Sequence, residues 1–75
     1  MTGILMYSKE DHCYAITDRK GRLQKLIRAG QQLYVYFCEV WVPVILQYSA
    51  NLGNWYFKYL PGIEVAGCKA MIKES

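Results

Sequence analysis

Residues 33–48 read Leu33-Tyr34-Val35-Tyr36-Phe37-Cys38-Glu39-Val40-Trp41-Val42-Pro43-Val44-Ile45-Leu46-Gln47-Tyr48. β-Branched and aromatic side chains dominate this run, and they fit a pleated, half-buried surface. Strand alternation sets Leu33, Val35 and Phe37 on one face and Tyr34, Tyr36 and Cys38 on the other. The first set is the better core face. Glu39 interrupts the pattern, which predicts a tight turn. Beyond it Val40, Val42, Val44, Leu46 and Tyr48 share a face, with Trp41, Pro43, Ile45 and Gln47 opposite. Pro43 has no N–H to give to a ladder, so its strand is an edge or carries a bulge there. The same composition continues to Leu60: residues 33–60 hold nine of the eleven aromatic residues and only two charges, Glu39 and Lys58. An all-β fold follows.

The flanks agree. Gly3-Ile4-Leu5-Met6-Tyr7-Ser8 and His12-Cys13-Tyr14-Ala15-Ile16-Thr17 read as two strands of an antiparallel hairpin, turning at Lys9-Glu10-Asp11. Downstream, residues 49–54 form a turn marked by Asn51, Gly53 and Asn54, and Trp55-Tyr56-Phe57-Lys58-Tyr59 is the next strand. Pro61-Gly62 marks another turn. Residues 64–72 close the chain, with Gly67 as a bulge or bend. Residues 23–29 are ambiguous. Leu23, Leu26 and Ile27 have helical spacing and Gly30 stands where a C-cap would. The piece is barely two turns long, so the expectation is a loop with at most one helical turn. Five or six short antiparallel strands in one 75-residue domain predict a small SH3-like barrel carrying a basic loop at residues 18–30. No internal repeat, linker or low-complexity stretch is evident.

Composition narrows the function classes. A chain this short buries only about 60% of its unfolded surface. With 53% hydrophobic residues, some apolar area stays exposed, which marks a binding surface or a dimer interface. Cys13, Cys38 and Cys68 are odd in number, widely spaced and lack a CxxC, so they read as small buried thiols in a reducing compartment. No signal peptide is visible. The longest apolar run, residues 33–46, contains Glu39 and Pro43 and is too short to span a bilayer. These features predict a cytoplasmic protein without a membrane anchor.

No catalytic pattern emerges. His12 and Cys13 are adjacent on a strand and point to opposite faces, and His12 is the sole histidine. Three cysteines and one histidine suffice in number for zinc but lack paired spacing. Apart from Glu10-Asp11, the six carboxylates are scattered singly at turns. The reading is a non-enzyme with no metal and no cofactor.

Two constellations remain. Arg19, Lys20, Arg22, Lys25 and Arg28 place five of nine cations within ten residues, with Asp18 as the only nearby acid. On a loop they make an electrostatic footprint for phosphates or an acidic protein surface. The plain alternative is a solubilising loop on a chain of net charge +3. Tyr34, Tyr36 and Tyr56, with the outward side of the tryptophan strand, form a second candidate, an exposed platform that would stack bases or anchor a protein interface. Their alternative role is to fill a minor core, which is the favoured reading for Trp41, Trp55 and Phe57.

The order Gly3-x-Leu5-x-Tyr7, Tyr14-x-Ile16, Gly30 before Leu33-x-Val35, Trp41-x-Pro43, Trp55-Tyr56-Phe57 and Gly67-Cys68-Lys69-Ala70-Met71-Ile72 covers most of the chain. It resembles a family of small bacterial mobile-element proteins classed as a domain of unknown function, with a Trp-Tyr-Leu strand and a closing Gly-Leu-x-Val-x-Ile. Cys68 and Ala70 stand where that family has larger apolar residues. The resemblance implies no chemistry. It implies an accessory or counter-defence role in a phage or conjugative element.

The expected function is therefore a non-enzymatic binding module that occupies a surface on a larger protein, as an element-encoded regulator or inhibitor. Arg19, Lys20, Arg22, Lys25 and Arg28 would pair with acidic groups, and Tyr34, Tyr36 and Tyr56 would supply apolar anchors. One alternative is a nucleic-acid binder using the same residues. Another is a structural homodimer joined along a strand edge.

Overall fold

In the computed structural model, which describes residues 1–73, one wholly antiparallel sheet contains seven strands, and no helix occurs among the described residues. The strands are β1 (Thr2–Ser8), β2 (Cys13–Thr17), β3 (Leu23–Ile27), β4 (Gln32–Phe37), β5 (Val40–Ser49), β6 (Asn54–Lys58) and β7 (Lys69–Met71). Their spatial order is β3-β2-β1-β7-β4-β5-β6. Two three-stranded meanders thus flank a short closing strand, which pairs with β1 on one side and β4 on the other.

That order dictates the shape. In a flat sheet, β3 and β4 would stand four places apart, about 19 Å. Only residues 28–31 join them, and these form a tight turn in which the Gln31 N–H donates to the Arg28 carbonyl at 3.1 Å. The ends of such a turn lie within about 7 Å of each other. The sheet must therefore curl strongly on itself. A Cα radius of gyration of 11.5 Å agrees, since a compact chain of this length has about 11 Å. No ladder joins β3 to β6, so the sheet does not close into the expected barrel.

Curling encloses a core of Leu5, Ile16, Ile27, Leu33, Val35, Val44, Leu46, Phe57, Val65 and Ala70. The core face predicted for β4 turns inward with one correction, and on β5 the inward face is the one carrying Val44 and Leu46, with its ends at Val40 and Tyr48 exposed. Phe37 was expected in the core but is 38% exposed. The β4–β5 hairpin runs on past the end of β7, so nothing covers its tip. At one mouth of the core the rings of Tyr7, Tyr14, Trp55 and Tyr48 pack edge to face in sequence. The Tyr14–Trp55 pair, with centroids 5.6 Å apart, brings β2 against β6 without a ladder.

Residues 23–29 are the second correction, because β3 is a strand rather than a loop or a helical turn. Ile16 opposes Lys25 while Thr17 opposes Leu23, so Gln24 is an extra residue in the ladder. This bulge puts Leu23 and Leu26 on one face although they are three residues apart. A bulged strand has reproduced helical spacing. Gly30 caps no helix. Its φ is +90°, and its N–H and the Gln31 carbonyl both bond to Leu46, as a bulge requires. Gly67, at φ +88°, repeats the device opposite Leu5 and is the bulge expected there. Glycine suits both positions because they need the left-handed backbone. Pro43 lies beyond the reach of β6, which pairs only with residues 45–49 of β5, so its missing N–H faces an edge.

Candidate interaction surface

The outward face of the sheet carries the candidate site. With Leu33 and Val35 buried in the core, strand alternation turns Tyr34 and Tyr36 outward. The two-residue turn at Cys38 and Glu39 sets the register that places Trp41 opposite Tyr36. Their rings meet at 5.3 Å and 63°. On β7, Ala70 points into the core, so Lys69 and Met71 point out. The Lys69 ammonium lies 5.6 Å from the centre of the Tyr36 ring, within cation–π range. Lys69 also opposes Ile4 on β1, and Ile4 opposes Thr17 on β2. One transverse row therefore runs Thr17, Ile4, Lys69, Tyr36, Trp41 across five strands.

A groove of about 520 Å³ opens beside that row, with Thr2, Ile4, Thr17, Arg19 and Lys69 among its walls. It joins a cation of the 18–22 turn to one from β7. The same outward face leaves apolar area exposed at Ile4, Met6 and Leu23. The surface thus combines aromatic rings, aliphatic area and two separate cations.

The structure divides the five predicted cations. Asp18 organises the first turn: its Oδ1 accepts the N–H groups of Lys20 and Arg22, both at 2.9 Å. Its Oδ2 accepts Arg22 Nε at 3.1 Å and Gln24 Nε2 at 3.2 Å. The Arg22 N–H, foremost among these donors, holds the Asp18 carboxyl below its ordinary value against the opposing effect of desolvation. Arg22 is consequently tied to its own turn instead of standing free. Arg19 and Lys20 are exposed, while Lys25 is half-buried on β3. Arg28 follows the far end of β3, about 20 Å along the strand from Arg22. The expected single basic loop is two turns separated by a strand, and of the five cations only Arg19 lines the groove beside the transverse row.

The tyrosines are divided as well. Tyr34 adjoins the row one register step from Tyr36, opposite Pro43. Tyr56 opposes Gln47 and donates its hydroxyl to Gln47 Oε1 at 2.7 Å. Gln47 is about 13 Å along β5 from Pro43, so Tyr56 lies outside the Tyr34–Tyr36 platform. Trp41, assigned from sequence to the core, is half-buried on the outward face, and Trp55 is half-buried at the mouth. Phe57 is fully buried. Lys69 was not singled out at all. The available signal was alternation around Ala70, a residue small enough to sit between β1 and β4.

The remaining chemistry-bearing residues stay apart. His12 is exposed with φ 55°, and Cys13 beside it is buried. Cys38 is exposed in the hairpin turn rather than buried, because that turn projects beyond the core. Cys68 is half-buried and donates its thiol to the Glu64 carbonyl at 2.9 Å. Burial, then the Glu64 charge, pushes that thiol above its ordinary value. Among the described residues no three potential metal ligands converge, and Glu74 lies outside those residues. No helix among them is long and apolar enough to cross a membrane.

No family model matches the chain, and no curated protein does. The chain is similar to a protein from Ruminococcus gnavus whose crystal structure came from the Northeast Structural Genomics Consortium. The match has 24% identity and a TM-score of 0.79, covering 96% of this chain and all of the other. At that identity the likeness concerns the fold alone.

Proposed function

We propose that the chain is a non-enzymatic binding module that recognises an acidic surface of a larger protein through the outward face of its sheet. The carrying observation is the packing of Lys69 over Tyr36, with Trp41 on one side and the Arg19 groove on the other. Aromatic and arginine side chains are the residue types that dominate protein hot spots. The exposed Ile4, Met6 and Leu23 extend the face with aliphatic area that a protein partner would bury. Arg19 and Lys69 add charges that pair with carboxylates and speed the encounter.

The interleaving of Lys69 with Tyr36 also supports a second reading, a single-stranded nucleic acid with bases on the rings and phosphates on the cations. Pinning of Arg22 by Asp18 and the distance to Arg28 weigh against it, because such affinity rests on many phosphate contacts. The test is affinity capture from nuclease-treated lysate with the wild type, Tyr36→Ala and Lys69→Glu. The proposal expects one dominant protein on the wild type and its loss from both variants. Equal capture by the variants would refute it, and capture abolished by nuclease would promote the second reading.

A further inference from the structure

A second groove lies at the aromatic mouth of the core, away from the outward face. It encloses about 410 Å³ between β2, β6 and the segment before β7, and Tyr14, Leu52, Asn54, Trp55, Pro61 and Glu64 are among its walls. Tyr14 and Trp55 both line the groove, in an edge-to-face contact with their ring planes at 77°. Glu64 is exposed and forms no salt bridge among the described residues. No lysine, arginine or histidine lines the groove. The carboxylate is felt at the ring beside it: burial, and after it Glu64, hold the Tyr14 hydroxyl above its ordinary value.

Aromatic faces attract cations through their quadrupole, and a carboxylate without a partner adds a full charge of the same preference. A hydrated inorganic ion gains little from such walls, since they offer few oxygen ligands. An organic cation with a greasy, weakly hydrated head gains from both. We infer that this mouth is a binding site for a quaternary alkylammonium head group, with Tyr14 and Trp55 as its walls and Glu64 as its counter-charge. The site is independent of the outward face and of whatever that face binds.

The test is a titration of the ¹⁵N-labelled chain with choline, followed at the two tryptophan indole N–H resonances. The matched probe is 3,3-dimethylbutan-1-ol, which has the shape of choline without its charge. Choline should shift the Trp55 indole saturably and leave that of Trp41 in place. The neutral analogue should bind at least about fivefold more weakly, the margin expected of cation–π attraction. Glu64→Gln alters an exposed residue, so the fold survives it. The variant should weaken choline severalfold and leave the neutral analogue unchanged. Parallel titration with a trimethyllysine peptide distinguishes a head group carried on protein, which binds more tightly than choline, from a free small molecule, which does not. Equal binding of choline and its neutral analogue, equal shifts at both indoles, or no saturable shift would overturn the inference.

Discussion

Gly3 shows how a single residue limits this fold. A Cβ added there would lie 2.6 Å from Ile16 Cγ2 and closer still to the Thr17 carbonyl oxygen. Gly3→Ala therefore forces two paired backbones apart, and overpacking of this kind costs about 1–3 kcal/mol. Urea denaturation should show a lower midpoint with an unchanged slope, and an unchanged midpoint would refute the close approach. Asp18 makes a prediction in pH. Its carboxyl is held below the ordinary value of about 3.9 by hydrogen bonds to its charged form, chiefly from the Arg22 N–H. Its stabilising contribution is thus full above the unfolded value and is lost as pH falls through the lower folded one. An NMR titration should place the Asp18 midpoint below the ordinary value, and Gln24→Ala should move it upward. A midpoint at or above the ordinary value would contradict the four-donor turn. Neither residue's role was legible in the sequence. Asp18 read as an isolated acid beside a basic cluster, and Gly3 as the first residue of a strand, because each owes its role to a partner fixed only by folding.

At the scale of the element, alternation was a good guide where one face meets the core throughout. The middle parts of β4 and β5 show this, with Leu33, Val35, Val44 and Leu46 all buried, whereas Phe37, Val40 and Tyr48 at the ends of the same faces are exposed. It misled at β3, where the extra residue Gln24 broke the period and left helical spacing behind. The turn was expected at Glu39 alone, with Cys38 closing the strand; β4 ends at Phe37, so the turn takes in Cys38 as well, and it lacks the usual Asn-Gly. Both residues take positive φ, 51° and 65°, which side chains with a Cβ adopt reluctantly. Replacing the pair by Asn-Gly should stabilise the protein by about 1 kcal/mol, raising Tm by about 4–8 °C. Calorimetry checks this, and a lower Tm would mean that the turn is not of the mirror-image type.

For the whole molecule, the decisive fact is that seven strands share one small core. Phe57 is its largest fully buried side chain. Phe57→Ala should cost about 3–5 kcal/mol, whereas a chain of this length has only about 4–11 kcal/mol in total. Circular dichroism should find it largely unfolded or melting far below the wild type, and a near-normal melt would place the core elsewhere. The all-β class was legible because aromatic and β-branched residues fill residues 33–60. Strand order was not. It rests on β7 entering between two meanders, and nothing in its three residues announces both neighbours. The same insertion lines up Lys69 with Tyr36 and joins the Arg19 groove to the aromatic row. Only part of the candidate surface could therefore be read from local pattern.

The most direct measurement is the amide chemical-shift footprint of the captured protein partner on the ¹⁵N-labelled chain. The account predicts perturbations along Ile4, Arg19, Tyr36, Trp41 and Lys69, with Arg28 and Tyr56 unaffected. A footprint centred on residues 28–31, or one that avoids β7, would contradict the assignment of the outward face as the recognition surface.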